Sequence, residues 1–159
     1  MRTAFIALSM LLAVALVGAY SPQWKDCGGS NAGWTTKSVT LSNKPARNVK
    51  DIITVCGTAN NVETMADVEL DVYLGKTHVF HTQYPLDNDQ VFPGDKYCYN
   101  ETKYFPVITP NGNYAINLTL QNPSKEDVGC TELFFTISEP RINDGFLAAI
   151  YNGDEEEQE

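Results

Sequence analysis

A chain of 159 residues, 43% of them hydrophobic and with a formal net charge of −9, is long enough for one globular domain and too apolar for wholesale disorder. Its 20 Asp and Glu against 11 Lys and Arg argue against a basic phosphate-binding face, and so against nucleic acid or a polybasic hold on anionic membranes. The four cysteines take their meaning from the compartment, which the first segment decides.

Residues 1–19 carry Arg2, then an uncharged apolar run from Ala4 to Val17, then the small residues Gly18 and Ala19. This is the layout of a secretory signal peptide cleaved after Ala19. A run of about 14 apolar residues falls short of the roughly 20 that span a bilayer. The mature chain is expected to begin near Tyr20, and losing Arg2 takes its formal charge from −9 to −10. A secretory route leads to the medium or to an endolysosomal lumen. In that oxidising setting Cys27, Cys56, Cys98 and Cys130 are expected to form two disulfides, with three connectivities open. None of them lies in a C-x-x-C pair, which argues against zinc and dithiol redox chemistry.

Strand-like patches then recur at short intervals, separated by Pro, Gly, Asn and Asp, and no amphipathic helix interrupts them before Pro140. Lys37–Ser42 and Val49–Thr58 come first. Asp67–Leu74 alternates cleanly, with Val68, Leu70, Val72 and Leu74 on one face and three carboxylates on the other. Gly75-Lys76 turns the chain into Thr77–Tyr84. Glu101–Val107 follows. Thr109-Pro110-Asn111-Gly112 launches Asn113–Gln121, where Tyr114, Ile116, Leu118 and Leu120 share a face. Cys130–Ser138 closes the series with Leu133, Phe135 and Ile137 in phase. About seven strands, each with one dry and one wet face, predict an all-β antiparallel sandwich of two sheets over residues 20–140.

Asn100-Glu101-Thr102 and Asn117-Leu118-Thr119 are glycosylation sequons, whereas Asn122-Pro123-Ser124 is blocked by its proline. Asn117 falls on the face that alternation gives to solvent. After Pro140 the pattern stops: residues 141–159 hold an apolar patch, Gly145–Tyr151, and an acidic end expected to be a solvated tail.

Catalytic chemistry has little to stand on. His78 and His81 form H-x-x-H, but on a strand residues three apart point to opposite faces, so the pair is not expected to chelate one ion. There is no nucleophile elbow or phosphate-binding glycine loop, and Glu69 and Asp71 read as solubilising charges rather than a glycosidase pair. The chain is not expected to be an enzyme or to need a cofactor. A plain immunoglobulin adhesion module would place a tryptophan between two core cysteines and a tyrosine before the second. Here Trp24 and Trp34 flank Cys27 instead, with core, rim and binding roles open.

Four segments together resemble the ML family of lipid-recognition domains. Trp24-Lys25-Asp26-Cys27-Gly28 is similar to that family's opening. Ile53-Thr54-Val55-Cys56-Gly57-Thr58 is similar to its strand ending in Gly-Thr. Pro110-Asn111-Gly112-Asn113-Tyr114 resembles its Pro-x-Gly-x-Tyr lead into the penultimate strand. Gly129-Cys130 with Leu133-Phe134-Phe135-Thr136-Ile137 resembles its closing strand. The likeness covers residues 24–138.

The resemblance implies an immunoglobulin-like sandwich splayed enough to hold a sterol or a phospholipid in an apolar cavity between its sheets. It implies binding and transfer, or presentation, without covalent chemistry. It also implies a bond from Cys130 back to Cys27, leaving Cys56 to Cys98 from strand to loop. Many relatives instead have a close cysteine pair around that loop, and the upstream member is absent here. The expected cavity wall is Ile53, Val55, Val68, Leu70, Val72, Leu74, Phe105, Val107, Tyr114, Ile116, Leu118, Leu120, Leu133, Phe135 and Ile137. A filled core would show the same alternation. It would suit a secreted adhesion or co-receptor module without a lipid. The expected partners are a lipid and a transient membrane or lipid-transporter contact, and the expected state is a monomer.

Overall fold

Alternating side chains leave every segment one face to bury, and two stacked sheets satisfy them all. The structure, a computed structural model, describes residues 19–138. The expected leader through residue 18, the apolar patch at 145–151 and the acidic end lie outside the described residues. Among the described residues the elements are β1 (Gln23–Asp26), β2 (Trp34–Leu41), β3 (Lys50–Ala59), β4 (Glu63–Leu74), β5 (Thr77–Val91), β6 (Lys96–Tyr104), β7 (Gly112–Gln121) and β8 (Asp127–Ile137). All pairings are antiparallel, in a five-stranded sheet ordered β1-β8-β7-β4-β5 and a three-stranded sheet ordered β2-β3-β6. The all-β sandwich is therefore the fold, with β1 a short strand that alternation over so few residues does not reveal.

The phase of the central strands follows from their sequence. Val68, Leu70 and Val72 of β4 lie opposite Leu120, Leu118 and Ile116 of β7, and Ile116 lies opposite Leu133 of β8. All seven face inward and are buried. Two strands depart from the simple reading. The sixth runs Lys96–Tyr104, not Glu101–Val107, because Pro106 has no N–H to donate and the ladder ends where Tyr104 meets Lys50. Val107 falls in the turn beyond and is 67% exposed, so it is not part of the interior.

The fifth strand continues past Tyr84 to Val91 and carries a bulge. Val72 pairs with Phe80 and Tyr73 with His78, so Val79 is an extra residue on the β5 side. The bulge restores phase across three residues and turns His78 and His81 to one outer face. The expectation that the two histidines point to opposite faces is therefore overturned, because the extra residue at Val79 breaks the alternation it relied on.

Both bridges, Cys27–Cys130 and Cys56–Cys98, are formed. The first closes a separation of 103 residues and fastens the end of β1 to β8. Such a loop is worth roughly 4–5 kcal/mol through the lost entropy of the unfolded chain. The second joins directly opposed residues of β3 and β6. It runs strand to strand, not strand to loop, because β6 begins before Cys98.

Trp34 sits beside both bridges and is completely buried. Its ring lies 6.0 Å from that of Tyr99. A Cβ on Gly57 would fall 2.3 Å from the indole and from the Thr35 carbonyl oxygen, and one on Gly129 would fall 2.8 Å from the indole. The glycine after Cys56 and the glycine before Cys130 are thus where the two sheets leave room for one large ring. Replacing Gly57 with alanine is expected to destabilise the fold by about 3 kcal/mol or more, because both the ring and a backbone oxygen must move. Urea unfolding of Gly57→Ala measures it; a loss below about 0.5 kcal/mol would mean that the indole is not wedged there.

Candidate functional site

At the end of the sandwich away from Trp34, the sheets do not close. The C-terminal half of β4, the start of β5, the end of β6, the turn after it and Tyr114 of β7 surround a cavity of about 500 Å³. Val72, Leu74, Val79 and Phe80 form one wall, and Lys103, Tyr104, Phe105, Pro106 and Ile108 form the other. Four of these apolar or aromatic side chains reach solvent at the rim: Val79, Phe80, Tyr104 and Ile108, the last 85% exposed. An apolar wall that continues into an exposed apolar rim is unusual for a surface without a partner. The cavity also falls within the size range of small-molecule sites, roughly 300–1,000 Å³.

Its inner end is an aromatic floor. Phe105 meets Phe135 edge-on at 5.4 Å, and Phe135 stacks on Tyr114 at 5.7 Å. The turn that forms one lip is tied down from several sides. Tyr114 donates its hydroxyl to the Pro110 carbonyl at 2.8 Å, which gives the Pro-x-Gly-x-Tyr segment its local purpose. Arg47 donates from Nε to the Thr109 carbonyl and from Nη2 to Asn111 Oδ1, both at 2.6 Å. The backbone N–H of Asn48 donates to the Phe105 carbonyl at 2.7 Å.

The polar feature of the wall is Lys103, a buried cation. Its Nζ donates to the Tyr84 hydroxyl at 3.1 Å and lies 4.5 Å from the centre of the Phe80 ring and 5.3 Å from that of Tyr84. Among the described residues no carboxylate lies within ion-pair distance of it. Glu101 is its neighbour on the inward face of β6 and is likewise buried. The Lys103–Tyr84 bond crosses from one sheet to the other at the two edge strands, β6 and β5.

Of the residues expected to line a cavity, Val72, Leu74, Phe105 and Tyr114 do so. Phe135 backs the floor. Ile53, Val55, Val68, Leu70, Ile116, Leu118, Leu120, Leu133 and Ile137 are buried in the continuous core between the sheets. Val107 borders a separate surface groove with Lys44, Pro45 and Arg47. Of the two sequon asparagines, Asn100 is exposed on β6, where its Oδ1 accepts from Thr54 at 2.7 Å. Asn117 is half-buried on the outer face of β7.

Val79, Phe80, Lys103, Tyr104, Pro106 and Ile108 line the cavity without having been expected to. Lys103 had a signal: it is in phase with Tyr99, Glu101 and Phe105 along β6, so burying those aromatics had to take the charges inward with them. Phe80 had none, because the bulge at Val79 resets the phase of β5.

A family model for the ML domain matches residues 21–137. No curated protein matches the chain in sequence. Among solved structures, a Niemann-Pick type C2 protein from the Japanese carpenter ant superposes with a TM-score of 0.53 at 15% identity, over 73% of this chain and 99% of that one. The C-terminal domain of wzt superposes with a TM-score of 0.55 at 11% identity, over 76% of this chain and 81% of that one. Chicken MD-1, solved with lipid IVa, gives a TM-score of 0.45 at 11% identity, over 76% of this chain and all of that one.

Burial holds the Glu101 carboxyl up at about 7, with the Lys103 charge opposing the shift. The folded chain therefore holds this proton more tightly than the unfolded chain. Glu101 favours folding fully below pH 4.5, and that contribution is lost as pH rises through about 7. Glu101→Gln keeps the neutral form at every pH. It is expected to raise stability at about pH 8 by of order 1–3 kcal/mol more than at about pH 4.5. Urea unfolding of both proteins across that range checks the sign; equal slopes against pH would show that Glu101 is not the titrating group.

Proposed function

We propose that this chain, which belongs to the ML-domain family of lipid-binding proteins, holds one amphiphilic lipid in the open end of its sandwich and transfers or presents it. The observation that carries the reading is the cavity of about 500 Å³ with an exposed apolar rim and a buried ammonium in its wall. The aromatic floor and the filled core behind it favour a lipid whose apolar body sits at one end of the molecule over one that runs along the whole inter-sheet space. Val79, Phe80, Tyr104 and Ile108 are the residues that would touch a membrane while the lipid crosses.

Lys103 favours a phospholipid or a fatty acid over a sterol. A sterol brings one hydroxyl, whereas a phosphate or carboxylate gives a buried ammonium a charge-assisted partner. The chain does this by binding alone, and the family to which it belongs performs no covalent chemistry. A secreted or endolysosomal site of action, through the expected leader, suits both the cystines and the acidic composition.

Native mass spectrometry of the secreted protein is expected to find one lipid per chain. Uptake of a fluorescent anionic lysophospholipid is expected to be competed more strongly by an unlabelled anionic phospholipid than by cholesterol. Lys103→Met keeps the length and apolar body of the side chain. It is expected to weaken anionic-lipid binding by about tenfold or more while leaving cholesterol binding unchanged. Recovery of no lipid together with no uptake of any probe would overturn the function. Equal losses for both lipids would overturn only the role of Lys103.

A further inference from the structure

On the opposite face of β4 and β5 from the cavity, the bulge at Val79 gathers a second group of side chains. His78 Nε2 lies 2.7 Å from Asp71 Oδ1, and His81 Nδ1 lies 3.0 Å from the same oxygen. Glu69 Oε1 is 3.6 Å from His81 Nδ1. One donor atom each from Asp71, His78 and His81 lies within 4.8 Å of the other two. The histidine side chains are 46% and 48% exposed, so an ion can reach them from solvent. We propose that Asp71, His78 and His81 form a binding site for a divalent transition-metal ion, zinc or copper in kind.

The donor set selects the metal. Two imidazoles and one carboxylate suit zinc, copper, nickel or cobalt, whereas calcium and magnesium need a shell of oxygens that these side chains do not supply. Ligands about 2.0–2.2 Å from a tetrahedral ion stand roughly 3.3 Å apart. The Asp71 oxygen stands within roughly 0.6 Å of that separation from each ring nitrogen, and rotation of the two exposed imidazoles is what would bring all three donors, now within 4.8 Å of one another, onto one ion. Three ligands leave a fourth position, to be filled by water or by Glu69.

A second feature of the same face supports the site. Asn117 of β7 lies directly opposite Asp71, and its Oδ1 is buried with no hydrogen-bond partner. An ion-bound water is a donor that would satisfy an acceptor in that position. The bulge also acquires a reason. In a regular strand His78 and His81 would point apart, and the extra residue is what makes a joint grip possible. Val79 and Phe80, between the two histidines, line the cavity mouth on the other side, so an ion here would pin the same segment.

The test titrates the untagged secreted protein, stripped with chelator, with zinc chloride by calorimetry and with cobalt chloride by visible absorption. One zinc per chain with micromolar affinity is expected, with no response to calcium at the same concentration. The chain has two histidines, so zinc must shift both imidazole resonances in the proton spectrum. His78→Ala and His81→Ala are each expected to weaken zinc about tenfold or more. Their metal-free melting temperatures should match the parent's, because both side chains are at the surface. Asp71→Asn, close in size, gives a third variant in case either alanine disturbs β5. Absence of zinc binding, a shift of one imidazole alone, or affinity changed less than fivefold in both histidine variants overturns the site.

Discussion

The wedge of Trp34 between the two sheets is the contact on which the rest of the architecture depends. A fully buried indole needs a large gap, and the sheets supply it at Gly57 on one side and Gly129 on the other. The cystines at Cys56 and Cys130 are the immediate neighbours of those glycines, so the ring is clamped where the strands are covalently tied. Closing one end so tightly settles the shape of the other. Twisted sheets locked together at one end diverge toward the opposite end. There the strands β4, β5 and β6 leave a cavity that side chains from both sheets line but do not fill.

The charged pair on β6 argues in the same direction. Burying an ammonium and a carboxyl costs several kcal/mol each unless partners offset the lost hydration. Lys103 recovers part of it from the Tyr84 hydroxyl and from two aromatic faces, each worth about 0.5–2 kcal/mol. Glu101 avoids the cost below about pH 7 by staying protonated. Leucine at either place would serve a filled core better. A residue that weakens the core at the edge of an open cavity is the kind of local exception that binding sites require.

Sequence alternation was enough for the sandwich, the central core and the inward phase of Val68, Leu70, Val72, Leu118 and Leu133, because period two survives wherever a strand is regular. It failed where one residue changed the count. Pro106 ends β6 early and turns Val107 outward, and Val79 adds a residue to β5 and turns His78 and His81 together. Bulges depend on the partner strand, and one strand's pattern does not carry that information. The cavity was illegible for a different reason. Apolar side chains that fill a core and those that line a void obey the same alternation, and only the distance between sheets tells them apart. Trp34 and its two glycines bear on that spacing through contacts far apart in sequence.

The same edge strands set how the cavity could open. β5 and β6 each have a neighbour on one side within their sheet, and the bond from Lys103 to Tyr84 bridges them across the gap. Widening the mouth separates that pair and lifts the ammonium off the Phe80 and Tyr84 rings. The Tyr84 hydroxyl alone gives Lys103 no better alternative, so the bridge resists opening. An anionic headgroup arriving at the rim does, and under the proposed function the ammonium exchanges a neutral hydroxyl for a charged partner as the lipid enters. Under that proposal Lys103 is better partnered with an anionic lipid than with the Tyr84 hydroxyl alone. That difference between states is what a ligand needs in order to shift an opening equilibrium. A sterol hydroxyl offers the ammonium little more than Tyr84 already does, so under the proposed function Lys103 favours an anionic lipid and gives a sterol no such gain.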